Sequence, residues 1–147
     1  MLDIKVKSFK KFDIEELYNV LQLRSDIFVV EQDCVYLDID GKDDKAIHVL
    51  GYKDDKVVAY TRIFKPGDYF DQASIGRVAV HKEYRKFGYG KIIMQASIKA
   101  VEEQFNINEI KISAQKYLTK FYTDLGFKST GEEYLEDGIP HIAMIRK

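Results

Sequence analysis

This chain is expected to fold as an α/β sandwich with a mixed sheet, and three observations carry that expectation. Runs of β-branched and aromatic residues alternate with runs whose apolar residues recur at helical spacing, in the order βα-βββ-α-β-α-ββ. Between positions 77 and 94, a β-branched run passes through a charged turn and two glycines one residue apart into an amphipathic helix. Finally, 147 residues is a one-domain length, and 46% apolar with 32% charged residues is a globular balance, not a disordered one.

The elements follow in order. Ile4, Val6 and Ser8 alternate with Lys5 and Lys7, which predicts a first strand. Asp13 stands three residues before Glu16, the spacing of a capping box. A helix is expected from there to about Phe28, with Ile14, Leu17, Tyr18 and Leu21 at helical spacing. The acidic segment 33–45, which contains Gly41, reads as a loop. Two β-rich runs, 47–52 and 57–64, flank Lys53-Asp54-Asp55-Lys56 and predict a hairpin. Pro66-Gly67-Asp68 marks the next loop, and 74–80 the next strand. The helix after the glycines should run over 88–105, turning Ile92, Ile93, Ala96, Ala100 and Val101 toward the core. A short strand at 109–114 and a helix at 117–125 follow, with Gly126 suited to the left-handed position past a helix end. Phe127 and then 139–145 predict two closing strands. No repeat, low-complexity stretch or linker divides the chain, so residues 1–147 are expected to form one domain.

Composition narrows the function. A formal charge of −1, from 23 basic and 24 acidic residues, offers no excess to neutralise phosphates, so nucleic acid is not an expected partner. No apolar run approaches the ~20 residues that span a membrane, and the first residues lack a signal-peptide apolar core. Cys34 is the single cysteine, which excludes an intramolecular disulfide and suits a reducing cytoplasm.

The strand–glycine–helix junction carries the chemistry. A helix start leaves backbone N–H groups unpaired and its dipole attracts an anion. Gly88 and Gly90 lack a Cβ, so a phosphate can approach the main chain. A P-loop would require Gly-Lys-Ser/Thr, and a dinucleotide fingerprint a third glycine where Ile93 stands. What remains is Arg85-x-x-Gly88-x-Gly90. This pattern resembles the Arg/Gln-x-x-Gly-x-Gly/Ala motif of the GCN5-related N-acetyltransferase (GNAT) superfamily, which binds the pyrophosphate of coenzyme A. Downstream, Phe121-Tyr122-Thr-Asp-Leu-Gly126-Phe127 resembles the Leu/Phe-Tyr-x-x-x-Gly-Phe ending of the same fold. Arg24-Ser-Asp-Ile-Phe28-Val-Val-Glu31-Gln32, then Asp38, Asp40, Gly41, Asp43 and His48, and the tail Glu136-Asp-Gly-Ile-Pro-His141-Ile-Ala-Met144 are similar to the ElaA-like branch.

The resemblance implies a GNAT-type α/β sandwich with a mixed, mostly antiparallel central sheet flanked by helices. It implies acetyl-CoA as co-substrate, an amine of a small molecule or peptide as acceptor, and no metal. Arg85, Lys86, Phe87, Gly88, Tyr89, Gly90 and Lys91 then form the pyrophosphate loop. Val78, Ala79 and Val80 offer main-chain groups to the pantetheine arm and acetyl carbonyl. Gln115 takes a place where many members have an asparagine that reaches the pantetheine amide. Lys86 stands where glycine is frequent, either as a solvated lysine or as a CoA contact. Tyr122 corresponds to the tyrosine that protonates the departing thiolate, a need that follows from thioester aminolysis itself; packing as core beside Phe121 is its other reading.

An ammonium must lose a proton before attack, and two residues are candidate bases. Glu31 follows the apolar run 27–30, where partial burial would raise its pKa, and His141 follows Pro140 at the start of the last strand. Their structural readings are a salt-bridged carboxylate and a hydrogen-bonded histidine. His81 is expected to cap or face solvent, and His48 to pack at a strand start. The acidic segment 38–44 lacks the twelfth-position glutamate of an EF-hand, since residue 49 is Val; it reads as a solvated rim, one able to attract a cationic amine. Arg24, Phe28, Asp38, Asp40, Asp43 and Arg62 also resemble the N-terminal pattern of acyl-homoserine lactone synthases, a second enzymatic reading. A third is an acyl-CoA-binding module without catalysis. The strand-rich C-terminus could pair two subunits as a homodimer.

Overall fold

The computed structural model describes residues 1–147 and contains one seven-stranded sheet. Its strands are β1 (Asp3–Ser8), β2 (Ile47–Lys53), β3 (Lys56–Phe64), β4 (Ala73–Val80), β5 (Ile110–Gln115), β6 (Lys128–Glu136) and β7 (Ile139–Arg146). They lie in the order β1-β2-β3-β4-β5-β7-β6, and every neighbouring pair is antiparallel except β4 and β5. The expected mixed, mostly antiparallel sheet is therefore present. Helices α1 (Ile14–Arg24), α2 (Tyr89–Phe105) and α3 (Thr119–Thr123) connect the strands. No helix is long and apolar enough to cross a membrane.

Two cores hold the sheet. On one face, α2 packs Tyr89, Ile93, Met94, Ala100 and Val101 against strand residues such as Ile63, Ile75, Ile112 and Met144. On the other, α1 and the turn that follows it set Val20, Leu23 and Ile27 against Leu50, Tyr60 and Ala79. The helical faces differ in detail from expectation. Ile92 is exposed and Met94 takes its place in the core. In α1, Ile14 and Tyr18 are exposed, and the buried stripe includes Glu16 and Arg24. Those two polar residues occupy core positions because each is paired, which hides the stripe from a hydrophobic pattern. Asp13 caps α1 by accepting from the Glu16 N–H at 2.7 Å. The reciprocal half of the expected capping box is missing, because the Glu16 carboxylate turns to Lys7 and the Tyr52 hydroxyl instead.

The chain does not leave the helix at Phe28. It widens into a π-helical stretch, Ser25–Glu31, closed by Gln32 N–H donating to the Ile27 carbonyl at 3.1 Å. Such widening recurs at functional sites because it re-aims side chains. Here it brings Phe28 and Glu31 to the cleft. The hairpins β2–β3 and β6–β7 turn through Asp54–Asp55 and Asp137–Gly138, all with positive φ, as two-residue type I′ loops require.

Candidate active site

The parallel pair β4–β5 is where the sheet parts. The strands register only at Ala73↔Ile110 and Ser74↔Lys111. Beyond Ser74, β4 makes no pairing on that side. A bulge adds to the divergence: Tyr60 pairs with Ala79 but Arg62 with Gly76, so β4 carries one extra residue, and Arg77 adopts φ +50°. A left-handed arginine inside a strand stores local strain. It is held there by ion pairing of its Nε with Asp38 Oδ1 at 2.8 Å, off hydrogen-bonding angle, and by its Nη2 donating to the Asp38 carbonyl at 3.2 Å.

The opening continues into a cleft of about 600 Å³. Glu31 and Gln32 from the end of the π-helical stretch, Val78 and Val80 from β4, Ser113 and Gln115 from β5, Phe121 and Tyr122 from α3, and Glu136 and His141 from the last hairpin line it. Arg85, Gly88, Gly90 and Lys91 close it at the start of α2.

The glycine junction is built as its composition requires. A 3₁₀ turn, Lys82–Phe87, is capped by His81 Nδ1 accepting from the Glu83 N–H at 3.2 Å, and Gly88 (φ +74°) then starts α2. A side chain at Gly88 would be strained by that φ. At Gly90 a Cβ would meet only ordinary contacts, the nearest being Phe121 at 3.6 Å. The fold therefore demands glycine at 88 and leaves 90 to the ligand side. Ile92 N–H reaches the Gly88 carbonyl at 3.3 Å, and the preceding amides of the first turn are open. Of the residues assigned to this loop, Lys86, Phe87 and Tyr89 do not line the cleft. Lys86 lies over the exposed Phe87 ring, and Tyr89 is buried in the core, so Tyr89 can offer a ligand only its main chain. Ala79 likewise packs into the α1 core between Val78 and Val80.

Tyr122 is positioned by a turn. Phe127 N–H donates to the Tyr122 carbonyl at 3.1 Å and Gly126 N–H to the Thr123 carbonyl at 3.0 Å, with Gly126 at φ +96°. These two bonds are a Schellman motif, and the ring of Phe127 packs edge-on to that of Tyr122, 6.1 Å away. The spacing Tyr-x-x-x-Gly-Phe is thus the footprint of one helix terminus. Tyr122 is 6% exposed, its hydroxyl makes no hydrogen bond within the protein, and burial pushes its pKa up. A phenol in that state is fully protonated at neutral pH and can donate.

Of the two candidate bases, Glu31 departs from expectation. It is held bidentately by Arg85, Nη1 to Oε2 at 2.5 Å and Nη2 to Oε1 at 2.8 Å, while Arg85 Nε donates to the Val80 carbonyl at 3.0 Å. The hydrogen bonds from Arg85 lower its pKa instead of burial raising it. His141 is 6% exposed, with Nδ1 donating to the Ile139 carbonyl at 2.7 Å, which leaves Nε2 as an acceptor in the neutral ring, 3.4 Å from the Glu136 carboxylate that would pair with the protonated form. Gln115 donates to Gln32 at 3.2 Å. His48 is buried at the start of β2, its Nε2 donating to the Asp43 carbonyl at 2.9 Å and its Nδ1 accepting from the Tyr60 hydroxyl.

The acidic segment is not a solvated rim. Arg24 is completely buried and donates to Asp38 Oδ2 at 2.9 Å, Asp43 Oδ1 at 2.8 Å and the Asp38 carbonyl at 2.9 Å. Arg62 grips Asp40 at 2.6 and 2.9 Å and Asp43 at 3.0 Å. Burial alone would raise the Asp40 and Asp43 carboxyls, but the guanidiniums outweigh it and hold both below the ordinary range. The charged residues read as similar to lactone synthases, Arg24, Asp38, Asp40, Asp43 and Arg62, meet in this network, where their charges are consumed by one another, while Phe28 lines the cleft. Ser113, Tyr134 and Glu136, which the sequence reading did not single out as site residues, join His141 across β5, β6 and β7.

Known proteins resemble this chain in sequence and in fold. Residues 21–147 match the family model described as an acetyltransferase (GNAT) domain. Protein ElaA of Escherichia coli strain K12 is 40% identical over 139 residues, covering 93% of this chain and 91% of that protein. The crystal structure of E. coli ElaA superposes with a TM-score of 0.92 at 38% identity over the full length of both chains. An acyl-CoA N-acyltransferase from Pseudomonas aeruginosa superposes at 0.93 and 37% identity, again over both full lengths. The homoserine lactone synthase LasI, 16% identical with a TM-score of 0.79 over 99% of this chain and 89% of that one, shares the fold alone. By sequence and by fold alike, the chain belongs to the GNAT acyltransferase family, in the group that includes ElaA.

Proposed function

We propose that this chain moves an acetyl group from acetyl-CoA directly to the amine of a small molecule or peptide. One observation carries the reading: a single cleft joins the open amides of α2 to the parted strands β4 and β5, and an unpartnered phenol faces it. The amides of 86–91 and Lys91 suit a diphosphate, and the unpaired side of β4 around Val78, Ala79 and Val80 suits the extended pantetheine arm. Gln115, lining the cleft between them and His141, can reach the arm's amide.

In the transfer, the acceptor ammonium gives one proton to His141 Nε2. The amine lone pair then forms the new C–N bond as the C–S bond breaks. The thiolate takes the Tyr122 proton, and the nitrogen's second proton restores the phenol, so the net release is one proton. Tyr122 is the acid and His141 the base. Glu31, kept weakly basic by its ion pair with Arg85, is not the base. The unpaired Cys34 suits a reducing cytoplasm.

Titration calorimetry with coenzyme A, beside a free-thiol assay with acetyl-CoA and a panel of amines, tests the reading. Cofactor binding with amine-dependent thiol release is expected. Cofactor binding without thiol release for any amine would favour a non-catalytic binding module, and no binding at millimolar coenzyme A would remove both.

A further inference from the structure

The β5–β7–β6 side of the cleft holds charge and hydrogen-bonding capacity that acetyl-CoA does not need. Ser113 Oγ lies 2.5 Å from the Tyr134 hydroxyl and donates to Glu136 Oε1 at 3.3 Å. His141 Nε2 lies 3.4 Å from Glu136 Oε2, and the His141 ring stacks on Tyr134 with centroids 6.1 Å apart. Glu136 is half exposed to the cleft and has no lysine or arginine partner. Asp137, the next residue lining the cleft, has none either.

The other charges of the cleft are already spent. Arg62 and Arg77 pair with Asp38, Asp40 and Asp43, and Arg85 pairs with Glu31. Lys91 remains free at the glycine loop. The uncompensated charge on the hairpin side is therefore negative. Beside it the wall is aromatic: Phe64 and Tyr69 stack at 5.2 Å, and Phe70 meets Tyr69 edge-on at 4.8 Å. The Tyr122 phenol, nine-tenths buried and without a partner, marks the same cleft as a place where a reacting ligand belongs.

We infer that the acceptor is a primary amine on an aromatic or alkyl body with no carboxylate beside the nitrogen, its ammonium seated on Glu136 next to His141. The inference rests on the acyl-transfer reading above and narrows it. A carboxylate anchors an ammonium through charge-assisted hydrogen bonds, and the aromatic wall, whose rings already carry Arg62, Lys42 and Lys111, favours the apolar body of the amine. After the proton passes to His141 Nε2, Glu136 faces an imidazolium, so the charge stays paired while the neutral amine attacks. An amino acid would set its own carboxylate against Glu136 and Asp137, with the guanidiniums of the cleft occupied and Lys42 and Lys111 held over the rings of Tyr69 and Phe70 outside its lining. Like-charge apposition of that kind excludes a ligand more strongly than missing contacts do.

The test compares 2-phenylethylamine, L-phenylalanine and L-phenylalaninamide as acceptors in the thiol-release assay, with coenzyme A affinity measured on the same samples. The expected kcat/KM for phenylethylamine exceeds that for phenylalanine by about 100-fold, with the amide recovering much of the loss. In Glu136→Gln the amine KM rises about tenfold or more, the gap to phenylalanine narrows, and coenzyme A affinity is unchanged, which also reports an intact fold. Phenylalanine used as well as phenylethylamine, a gap that persists in Glu136→Gln, or cofactor binding with none of the three acetylated would overturn the acceptor assignment alone. Failure to bind coenzyme A would instead bring down the acyl-transfer reading on which it stands.

Discussion

The two sides of the cleft use charge in opposite ways. On the β3–β4 side, Arg24, Arg62 and Arg77 meet Asp38, Asp40 and Asp43 in a buried network where each guanidinium faces a carboxylate. On the β5–β7–β6 side, Glu136 faces a histidine and open cleft. The first arrangement holds a segment of chain in place and has nothing left to offer a ligand. The second is held loosely and has capacity to spare. Counting acidic residues near the pocket points to the first side; subtracting the pairs points to the second.

Substitutions can separate the two roles. Arg24→Ala should cost about 3–5 kcal/mol of stability in urea unfolding, since it strands Asp38 and Asp43 without their shared partner; a loss near zero would mean the network is dispensable. Tyr122→Phe should lower kcat by about 10²–10³-fold with coenzyme A affinity and unfolding midpoint unchanged, and unaltered turnover would remove the phenol from the chemistry.

Acid should discriminate next. Asp40 and Asp43 have depressed pKa values in the fold, so their contribution is complete above the unfolded carboxylate value, about pH 4, and is lost as pH falls through the folded values. Urea midpoints should hold from pH 7 to near pH 5 and drop steeply below about pH 4, with a shallower drop in Arg24→Ala. Glu31→Gln should be the mildest. Its ion pair is well exposed, so stability should change by less than about 1 kcal/mol. Coenzyme A should bind a few-fold more tightly, because the diphosphate no longer shares Arg85 with a carboxylate; weaker binding would show that Glu31 orients Arg85 for the cofactor.

Much of the architecture was readable in advance for identifiable reasons. Strands β2, β3 and β4 are dense in β-branched and aromatic residues. Gly88 and Gly126 sit at positive φ where a helix starts and where one ends, so backbone sterics wrote them into the sequence. The candidate site residues on or beside those signals, Gly88, Gly90 and Tyr122, line the cleft. The rest depended on contacts that local pattern does not encode. Arg24 finds Asp38 and Asp43 at sequence separations of 14 and 19 residues, and no periodicity distinguishes a paired aspartate from a solvated one. The extent of β6 was obscure because its run from Lys128 to Glu136 is mostly exposed at the sheet edge. Glu31 looked like a base because its neighbours are apolar; its environment is set by Arg85, 54 residues away.

The meagre registration of β4 with β5 has a mechanical corollary. Strands β1 to β4 and strands β5 to β7 are stitched into one sheet by two residue pairs, and an extended molecule lying along the vacant edge of β4 would act as the missing seam. Loading should therefore stiffen the protein across its middle more than at either flank, with amide hydrogens of β4 and β5 slowing in exchange together.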